Sequence, residues 1–303
     1  MFHRLRIALL VSLAFAAFPA FTYASHSWDG YHWARTSNPF TLQLGDNVGD
    51  GNSASLWAGY LTRASDHWSN SLSPWAHVLD TIVVDGNNLT NLRKCPPTSG
   101  RVEVCNYKYG TNGWLGVAQI WLASGHIYQG TVKLNDSYFN NSRYPKYNST
   151  PWRNLVICQE VGHTFGLDHQ DENFGNTNIG TCMDYTNDPD GTLANPDQAD
   201  NEYPNGHDYE ELASIYSNLD STTTVGQMEQ SGPAKGKLPP ALTDTDADEP
   251  VQLGTAQWGK LIRSTNNGHT ELYELDLGHG HKILTHVIWA APEEEPGTRR
   301  GRR

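Results

Sequence analysis

Positive charge is scarce in this 303-residue chain, which carries 21 Lys and Arg against 33 Asp and Glu and has a net charge of −12 at pH 7. Nucleic-acid-binding surfaces neutralise phosphates with basic side chains, so this balance argues against a nucleic-acid partner. The acidic excess favours solubility and is compatible with Ca²⁺ sites, for which Asp46, Asp50 and Asp136 are candidates. Isolated loop aspartates also serve as ordinary turn residues, and both interpretations stay open.

Long apolar runs are missing beyond the N-terminal segment, so no membrane-spanning helix is expected there. A short basic stretch precedes the uncharged apolar run 7–20, and small residues up to Ala24 offer a cleavage site. This pattern predicts a signal peptide over residues 1–24 and a secreted protein without a membrane attachment after cleavage. A membrane anchor is the alternative, although the run is short for a spanning helix.

Cysteine is also sparse, with four residues at Cys95, Cys105, Cys158 and Cys182. An even number in an exported chain favours two disulfides, although four cysteines allow three pairings and buried free thiols are the alternative. Cys95 with Cys105 would close a short loop. Cys158 with Cys182 would join two segments that carry the motifs described below.

Hydrophobic periodicity predicts five strands and three helices before Asp220. The strands are expected at 40–48, 78–84, 101–109, 114–123 and 127–135. The first helix carries apolar residues at helical spacing between Leu56 and Trp68. The second is capped by Thr150 and terminated by Gly166, and the third covers 209–219 with Asp208 and Glu211 as a capping box.

The composition changes after Asp220. Residues 221–250 are rich in Thr, Gly, Pro, Asp and Lys and predict a linker. Strand-like runs at about 256–263 and 271–288 define a small β extension over 251–290, followed by a charged tail over 291–303. The extension is too small for a core of its own, so we expect it to dock on the main domain.

One segment carries a pattern of chemical groups: Gln159-Glu160-Val161-Gly162-His163-Thr164-Phe165-Gly166-Leu167-Asp168-His169. Residues four apart lie on one face of a helix, so Gln159 and His163 point to one spot beside Glu160. Gly166 can end the helix and let the chain turn back, which brings His169 to the same spot.

This segment resembles the metzincin signature HExxHxxGxxH and departs from it only at Gln159. Thr181-Cys182-Met183-Asp184-Tyr185 is similar to the Met-turn of that clan. The order of strands and helices is similar to the matrixins. The resemblance implies an α+β metzincin fold over residues 25–220, with a five-stranded, twisted, mostly parallel sheet, an antiparallel edge strand, two long helices and a third, C-terminal helix.

The resemblance implies a secreted, monomeric zinc endopeptidase that hydrolyses a peptide or protein substrate. His163 and His169 would hold Zn²⁺, and Glu160 would act as the general base toward water. Met183 would be a structural residue beneath the metal. Tyr185 matches a position at which some metzincins place an additional ligand or an oxyanion donor; an ordinary packed tyrosine is the alternative.

Gln159 stands where the family has its first zinc-binding histidine, and an amide oxygen is a poorer zinc ligand than an imidazole. Three arrangements are compatible with this change. Gln159 binds zinc weakly, Tyr185 completes the ligand set, or the protein is a non-catalytic pseudopeptidase or binding module on the same fold. A wall- or glycan-binding protein is a further hypothesis, because the chain contains ten Trp and fourteen Tyr.

Metzincins bind the substrate as an extended strand along a sheet edge. The corresponding residues here are Val117, Ala118, Gln119, Ile120 and Trp121, and an interior strand is the alternative. No cysteine lies between the predicted signal peptide and Cys95, which argues against latency through a propeptide cysteine.

Overall fold

The computed structural model describes residues 26–48, 57–70, 77–87, 93–193, 198–226, 257–265 and 268–290. The predicted signal peptide, most of the predicted linker, the charged tail and Asp50 lie outside these residues. Within them, no helix is both long and apolar enough to cross a membrane.

The described chain folds around one mixed β-sheet. Its strands are β1 (His32–Trp33), β2 (Phe40–Asn47), β3 (Leu79–Asp85), β4 (Val102–Tyr107), β5 (Trp114–Ala123), β6 (His126–Asn135), β7 (Lys260–Thr265), β8 (Thr270–Gly278) and β9 (His281–Trp289). The helices are α1 (Ala58–Ser69), α2 (Asp136–Phe139), α3 (Thr150–His163) and α4 (Gly206–Ile215).

The sheet has nine strands in the order β3-β2-β4-β6-β5-β9-β8-β7, and β1 pairs with β6. Pairing is parallel from β3 to β6 and at β1. It is antiparallel from β6 through β5 and β9 to β7. About 34% of the described residues are in strands and about 20% are helical.

The expected five-stranded, mostly parallel sheet with two long helices is therefore wrong. The difference arises because β7, β8 and β9, which we call the C-terminal meander, extend the sheet beside β5. A strand edge is a row of unpaired backbone donors and acceptors, so β5 provides the meander with a complete set of hydrogen-bond partners. As a result, β5 is an interior strand and the sheet ends at β3 and β7.

Two details of the secondary structure also differ from the sequence prediction. The run 271–288 is not one strand but the hairpin of β8 and β9, which turns at Gly278 and Gly280, both with positive φ. The third helix begins at Gly206, with Asn205 as its N-cap and Asp208 in the N3 position. Asn and Asp are both good N-cap residues, so the sequence pattern does not distinguish them.

The main core lies between the sheet and helices α1 and α3. In α1, the positions Leu61, Ala64 and Trp68 are buried at helical spacing, as the periodicity predicts. Every residue of α3 from Trp152 to His163 is buried. Since α3 runs beneath β5 and carries Glu160, this packing holds the motif against the centre of the sheet.

A second apolar cluster joins the other face of β5 to the C-terminal meander. It consists of Trp114, Val117, Trp258, Tyr273 and Val287, and we call it the β5–β9 cluster. Val117 pairs with Val287, and the neighbouring Ala118 pairs with His286. Because side chains alternate along a strand, the β5–β9 cluster and His286 lie on opposite faces of β9.

Two helical glycines provide a first prediction. A Cβ at Gly162 would lie 2.6 Å from Trp68 and 2.7 Å from the Met183 sulfur, whereas a Cβ at the exposed Gly59 would meet nothing within 4 Å. We expect Gly162→Ala to lower the free energy of unfolding by about 1–3 kcal/mol through overpacking. Gly59→Ala should raise it by about 0.5–1 kcal/mol through helix propensity. Urea unfolding of both variants measures the free energy of unfolding. Equal changes in the two variants would contradict the packing assigned to Gly162.

Candidate metal and catalytic centre

The centre of the site is formed at the end of α3 and by the loop that follows it. Gly166 has φ of +96°, and a Cβ there would lie 2.0 Å from the Tyr31 carbonyl oxygen, so the turn requires glycine. After this turn, His169 approaches His163, with the ring centroids 4.8 Å apart. The structure therefore brings the two predicted metal-binding histidines together.

A third histidine joins them from the C-terminal meander. The ring of His286 on β9 lies 3.9 Å from the ring of His163 and 4.9 Å from that of His169. One nitrogen of each histidine lies within 4.8 Å of the corresponding nitrogens of the other two. We call these three residues the histidine cluster. His286 was not predicted, because nothing in the local sequence of an alternating strand distinguishes a histidine that faces a distant helix.

Glu160 lies directly against the histidine cluster. His286 Nδ1 is 3.1 Å from Glu160 Oε2, and both side chains are fully buried. Burial raises the pKa of Glu160 well above its usual range, and a hydrogen bond from the backbone of Ala118 opposes this shift in part. Burial also lowers the pKa of His286, and the neighbouring histidines lower it further. Both shifts favour the neutral forms, so we interpret the contact as a hydrogen bond and not as an ion pair.

The position of Glu160 depends on close contact between α3 and β5. A Cβ at Gly116 would lie 2.9 Å from the Glu160 carboxyl oxygen and 2.8 Å from Val156. Only glycine at this point of β5 lets the strand pass so near the carboxyl group. Gly116 is therefore a positioning residue, and no motif in the sequence indicated this role.

Several polar atoms of this site are buried without a hydrogen-bond partner among the described residues. They are Nε2 of His163, Nε2 of His169, Nε2 of His286, Oε1 of Glu160 and Oε1 of Gln159. Leaving a buried polar atom unpaired costs about 1–3 kcal/mol, and native proteins rarely tolerate several in one place. Convergent imidazole nitrogens with free lone pairs match the ligands that zinc prefers. The histidine cluster could therefore hold a metal ion.

Hydrogen bonds orient the rings for such a role. His163 Nδ1 is 2.9 Å from the Leu167 carbonyl oxygen, which fixes the hydrogen on Nδ1 and leaves Nε2 to bind a metal. The Trp28 ring stacks on the His163 ring at 4.9 Å with an interplanar angle of 7°. Burial lowers the pKa of His163 well below its usual range, and His169 lowers it further, so the neutral ligand form is favoured.

Gln159 lies on α3 one turn before His163 and is fully buried. Its side-chain NH₂ group donates a 2.8 Å hydrogen bond to the carbonyl oxygen of Cys182, in the predicted Met-turn. Its amide oxygen has no partner among the described residues. Gln159 thus connects α3 to the Met-turn and still has an acceptor available.

The other predicted site residues lie around this centre. Met183 is buried with its sulfur against Gly162, as expected of a structural residue. Tyr185 is buried near His169, with ring centroids 5.6 Å apart, but its hydroxyl donates to the backbone oxygen of His269 in the C-terminal meander. Burial raises the pKa of Tyr185. In this arrangement the hydroxyl is used by a structural hydrogen bond.

The cysteines form the two disulfides that the sequence favoured, Cys95–Cys105 and Cys158–Cys182. The second joins α3 to the segment 181–185 immediately beside the Gln159–Cys182 hydrogen bond. Two connections thus hold the same pair of segments together.

Two of the candidate calcium ligands are described, and both make hydrogen bonds within the protein. The carboxylate of Asp136 accepts from Trp57 and Asn106, and Asp46 accepts from the backbone of Val48. These contacts give each aspartate a structural role at a turn or helix start.

The predicted substrate strand is covered. Val117, Ala118, Gln119, Ile120 and Trp121 pair with β6 on one side and with β9 on the other. β9 runs antiparallel to β5 and carries His286, and Glu160, His163 and His286 are all 0% exposed. A peptide reaches neither this strand nor Glu160 while β9 is paired with β5.

Comparison of the sequence with known protein families and with curated proteins finds no match in either.

Proposed function

We propose that the protein is a zinc-dependent endopeptidase in which Glu160 is the general base and the histidine cluster is the metal centre. The observation that carries this proposal is the contact between the Glu160 carboxyl group and three buried histidines whose Nε2 atoms are unpaired. A carboxyl group beside convergent imidazoles is the combination of groups that metal-assisted hydrolysis requires.

Each residue has a defined task in this proposal. His163 and His169 would hold the ion, which would supply Lewis-acid polarisation of a scissile carbonyl group and lower the pKa of water. Once β9 has left and water reaches the site, Glu160 would ionise, and its carboxylate would accept a proton from the attacking water and deliver it to the nitrogen of the leaving amine. Because Gly116 and Gly162 have no side chains, α3 packs closely against β5 and Met183. This close packing holds the Glu160 carboxyl group in place.

Hydrolysis also requires that β9 leaves the edge of β5. An extended peptide could then pair with Val117–Trp121 by the same antiparallel hydrogen bonds that β9 makes, with specificity from pockets on alternate side chains. The covered conformation is then the inactive form of the enzyme. A substrate-like strand in the same polypeptide competes at high effective concentration, so intact protein should cleave slowly.

A substitution in the β5–β9 cluster tests this function. Val287→Asp places a charge in the buried cluster on the face of β9 opposite His286, so it should weaken docking of the meander and leave His163, His169 and Glu160 in place. We expect the full-length variant to cleave quenched fluorescent peptides at least about tenfold faster than wild type in excess zinc. A strong chelator should abolish the cleavage.

Ile262→Asp is the matched control, because Ile262 is 46% exposed on β7 of the same meander. It should leave the rate at the wild-type level. Folded Val287→Asp protein that cleaves no peptide in excess zinc would contradict the peptidase proposal.

A second candidate is a non-catalytic metal-binding module on the same fold. The burial of the histidine cluster beneath β9 favours it, because a permanently covered site has no access for a peptide. This module would bind zinc but cleave nothing in either variant. The glycan-binding alternative has less support, since Tyr107 is the only aromatic among the large exposed hydrophobic side chains of the described residues.

A further inference from the structure

We propose that His286, contributed by the C-terminal meander, and not Gln159, is the third protein ligand of the metal in the covered form. This inference rests on the proposed zinc centre and assigns its ligand set. It also makes docking of β9 dependent on the metal.

The geometry of the three histidines is the first argument. One nitrogen of each ring lies within 4.8 Å of those of the other two rings, so all three residues can contribute a ligand to one metal ion. The three side chains are buried, and their Nε2 atoms have no hydrogen-bond partner among the described residues. Three imidazoles are a complete set of protein ligands for a zinc site that keeps one position open.

The contact of His286 with Glu160 is the second argument. With the hydrogen on His286 Nδ1, the imidazole donates to Glu160 Oε2 at 3.1 Å and keeps its Nε2 lone pair free to bind a metal. Metal-binding histidines commonly donate their second N–H to a carboxylate, which fixes the tautomer and the ring orientation. Glu160 therefore orients a ligand while β9 is docked.

The chemistry of Gln159 is the third argument. Its NH₂ group is held by the Cys182 carbonyl, and its remaining amide oxygen is a weaker zinc ligand than an imidazole nitrogen. Because Gln159 is not a histidine, a third imidazole ligand beside His163 and His169 has to come from another part of the chain. Among the described residues, His286 is the one that joins His163 and His169 in a three-residue metal-binding group.

The two other groups with metal-binding potential lack these properties. His32, His126 and Asp220 lie together, but Asp220 already accepts hydrogen bonds from both histidines and from Arg35. In the group of Asp168, His169 and Glu172, both carboxylates pair with Arg263. A cation in either group would have to compete with an arginine, so we propose no metal site at either group.

Zinc affinity of the full-length protein tests the assignment. Metal-free wild type, His286→Ala and Gln159→Ala would be titrated with zinc in competition with a chromophoric chelator. We expect His286→Ala to lose at least about 100-fold in affinity, because it removes a direct ligand, and Gln159→Ala to lose less than about fivefold. His281→Ala, a histidine on the same strand outside the histidine cluster, should bind as wild type does.

Equal affinity of folded His286→Ala and wild type, or a larger loss in Gln159→Ala, would overturn the assignment. Since His286→Ala could fail to fold, a second measurement uses wild type alone. Amide hydrogen exchange of β9 should slow at least about tenfold on zinc addition, whereas β3 at the far end of the sheet should not respond. Unchanged exchange in β9 at saturating zinc would also overturn it.

These results separate this inference from the proposed function. Loss of zinc affinity in His286→Ala without peptide cleavage by any variant would retain the ligand assignment and reject the peptidase. Cleavage by Val287→Asp together with full zinc affinity in His286→Ala would retain the peptidase and reject the assignment.

Discussion

Replacing Glu160 by glutamine should lower the zinc-dependent cleavage rate of the Val287→Asp protein by about 10²–10⁴-fold, the usual contribution of a general base. The amide has the volume of the carboxyl group, so it should fit against Gly116, where additional atoms would not. Its oxygen can still accept the hydrogen bond from His286 Nδ1 in the docked form. The substitution therefore removes the ability to accept a proton and retains the shape of the site.

The control for Glu160→Gln is Glu172→Gln. Glu172 lies near His169, pairs with Arg263 and is half-buried, but it does not contact the other two members of the histidine cluster. Glu172→Gln should change the rate less than about threefold, in line with the small contribution of exposed ion pairs. Zinc affinity should be the same within a few-fold in both variants. A Glu160→Gln protein that binds zinc and cleaves as fast as its parent would exclude Glu160 as the base.

Removing the Cys158–Cys182 disulfide should lower the free energy of unfolding by about 3.5 kcal/mol, the chain-entropy estimate for a closed loop of this length. The two cysteines are 24 positions apart and both are buried. The measurement is thermal and urea unfolding of the Cys158→Ser/Cys182→Ser variant. Unchanged stability would contradict the role of this disulfide in joining α3 to the segment 181–185.

The second disulfide is the matched control for the first. Cys95 and Cys105 are also buried, and their separation of 10 residues gives an estimate of about 2.8 kcal/mol for the Cys95→Ser/Cys105→Ser variant. Only the Cys158–Cys182 disulfide is adjacent to Gln159 and Met183, so only its removal should also weaken zinc binding. A similar change in zinc affinity in both variants would indicate a general loss of stability and not a local effect on the metal centre.

The C-terminal meander explains why the site is both complete and covered. Arg263 on β7 pairs with Asp168 and Glu172 in the loop that carries His169. The backbone oxygen of His269 accepts a hydrogen bond from the Tyr185 hydroxyl. Together with His286 on β9, these contacts attach the meander to the motif at several points. We expect release of the meander to expose the site and the β5 edge in one step, because the contacts lie in one continuous surface.

The sequence determined the features that depend on local spacing. The turn after α3 was predictable because Gly166 has a positive φ that other residues adopt at a cost, and this turn brings His169 to His163. Strands β2 to β6 and helix α1 were predicted from hydrophobic periodicity within short windows. Cys158 and Cys182, which form a disulfide, lie in the two segments whose motifs the sequence had already linked. Each of these features is specified by residues near one another in the chain.

Only the tertiary structure decided the sheet and the third histidine. The sequence indicated that 251–290 is too small to fold alone, but it did not identify β5 as the edge on which that segment docks. His286 is 126 positions from Glu160, and its place beside α3 depends on the register of β9 against β5. A shift of that register by one residue would turn His286 to the opposite face of the sheet. Register is fixed by packing between distant segments, which is why local sequence patterns could not provide it.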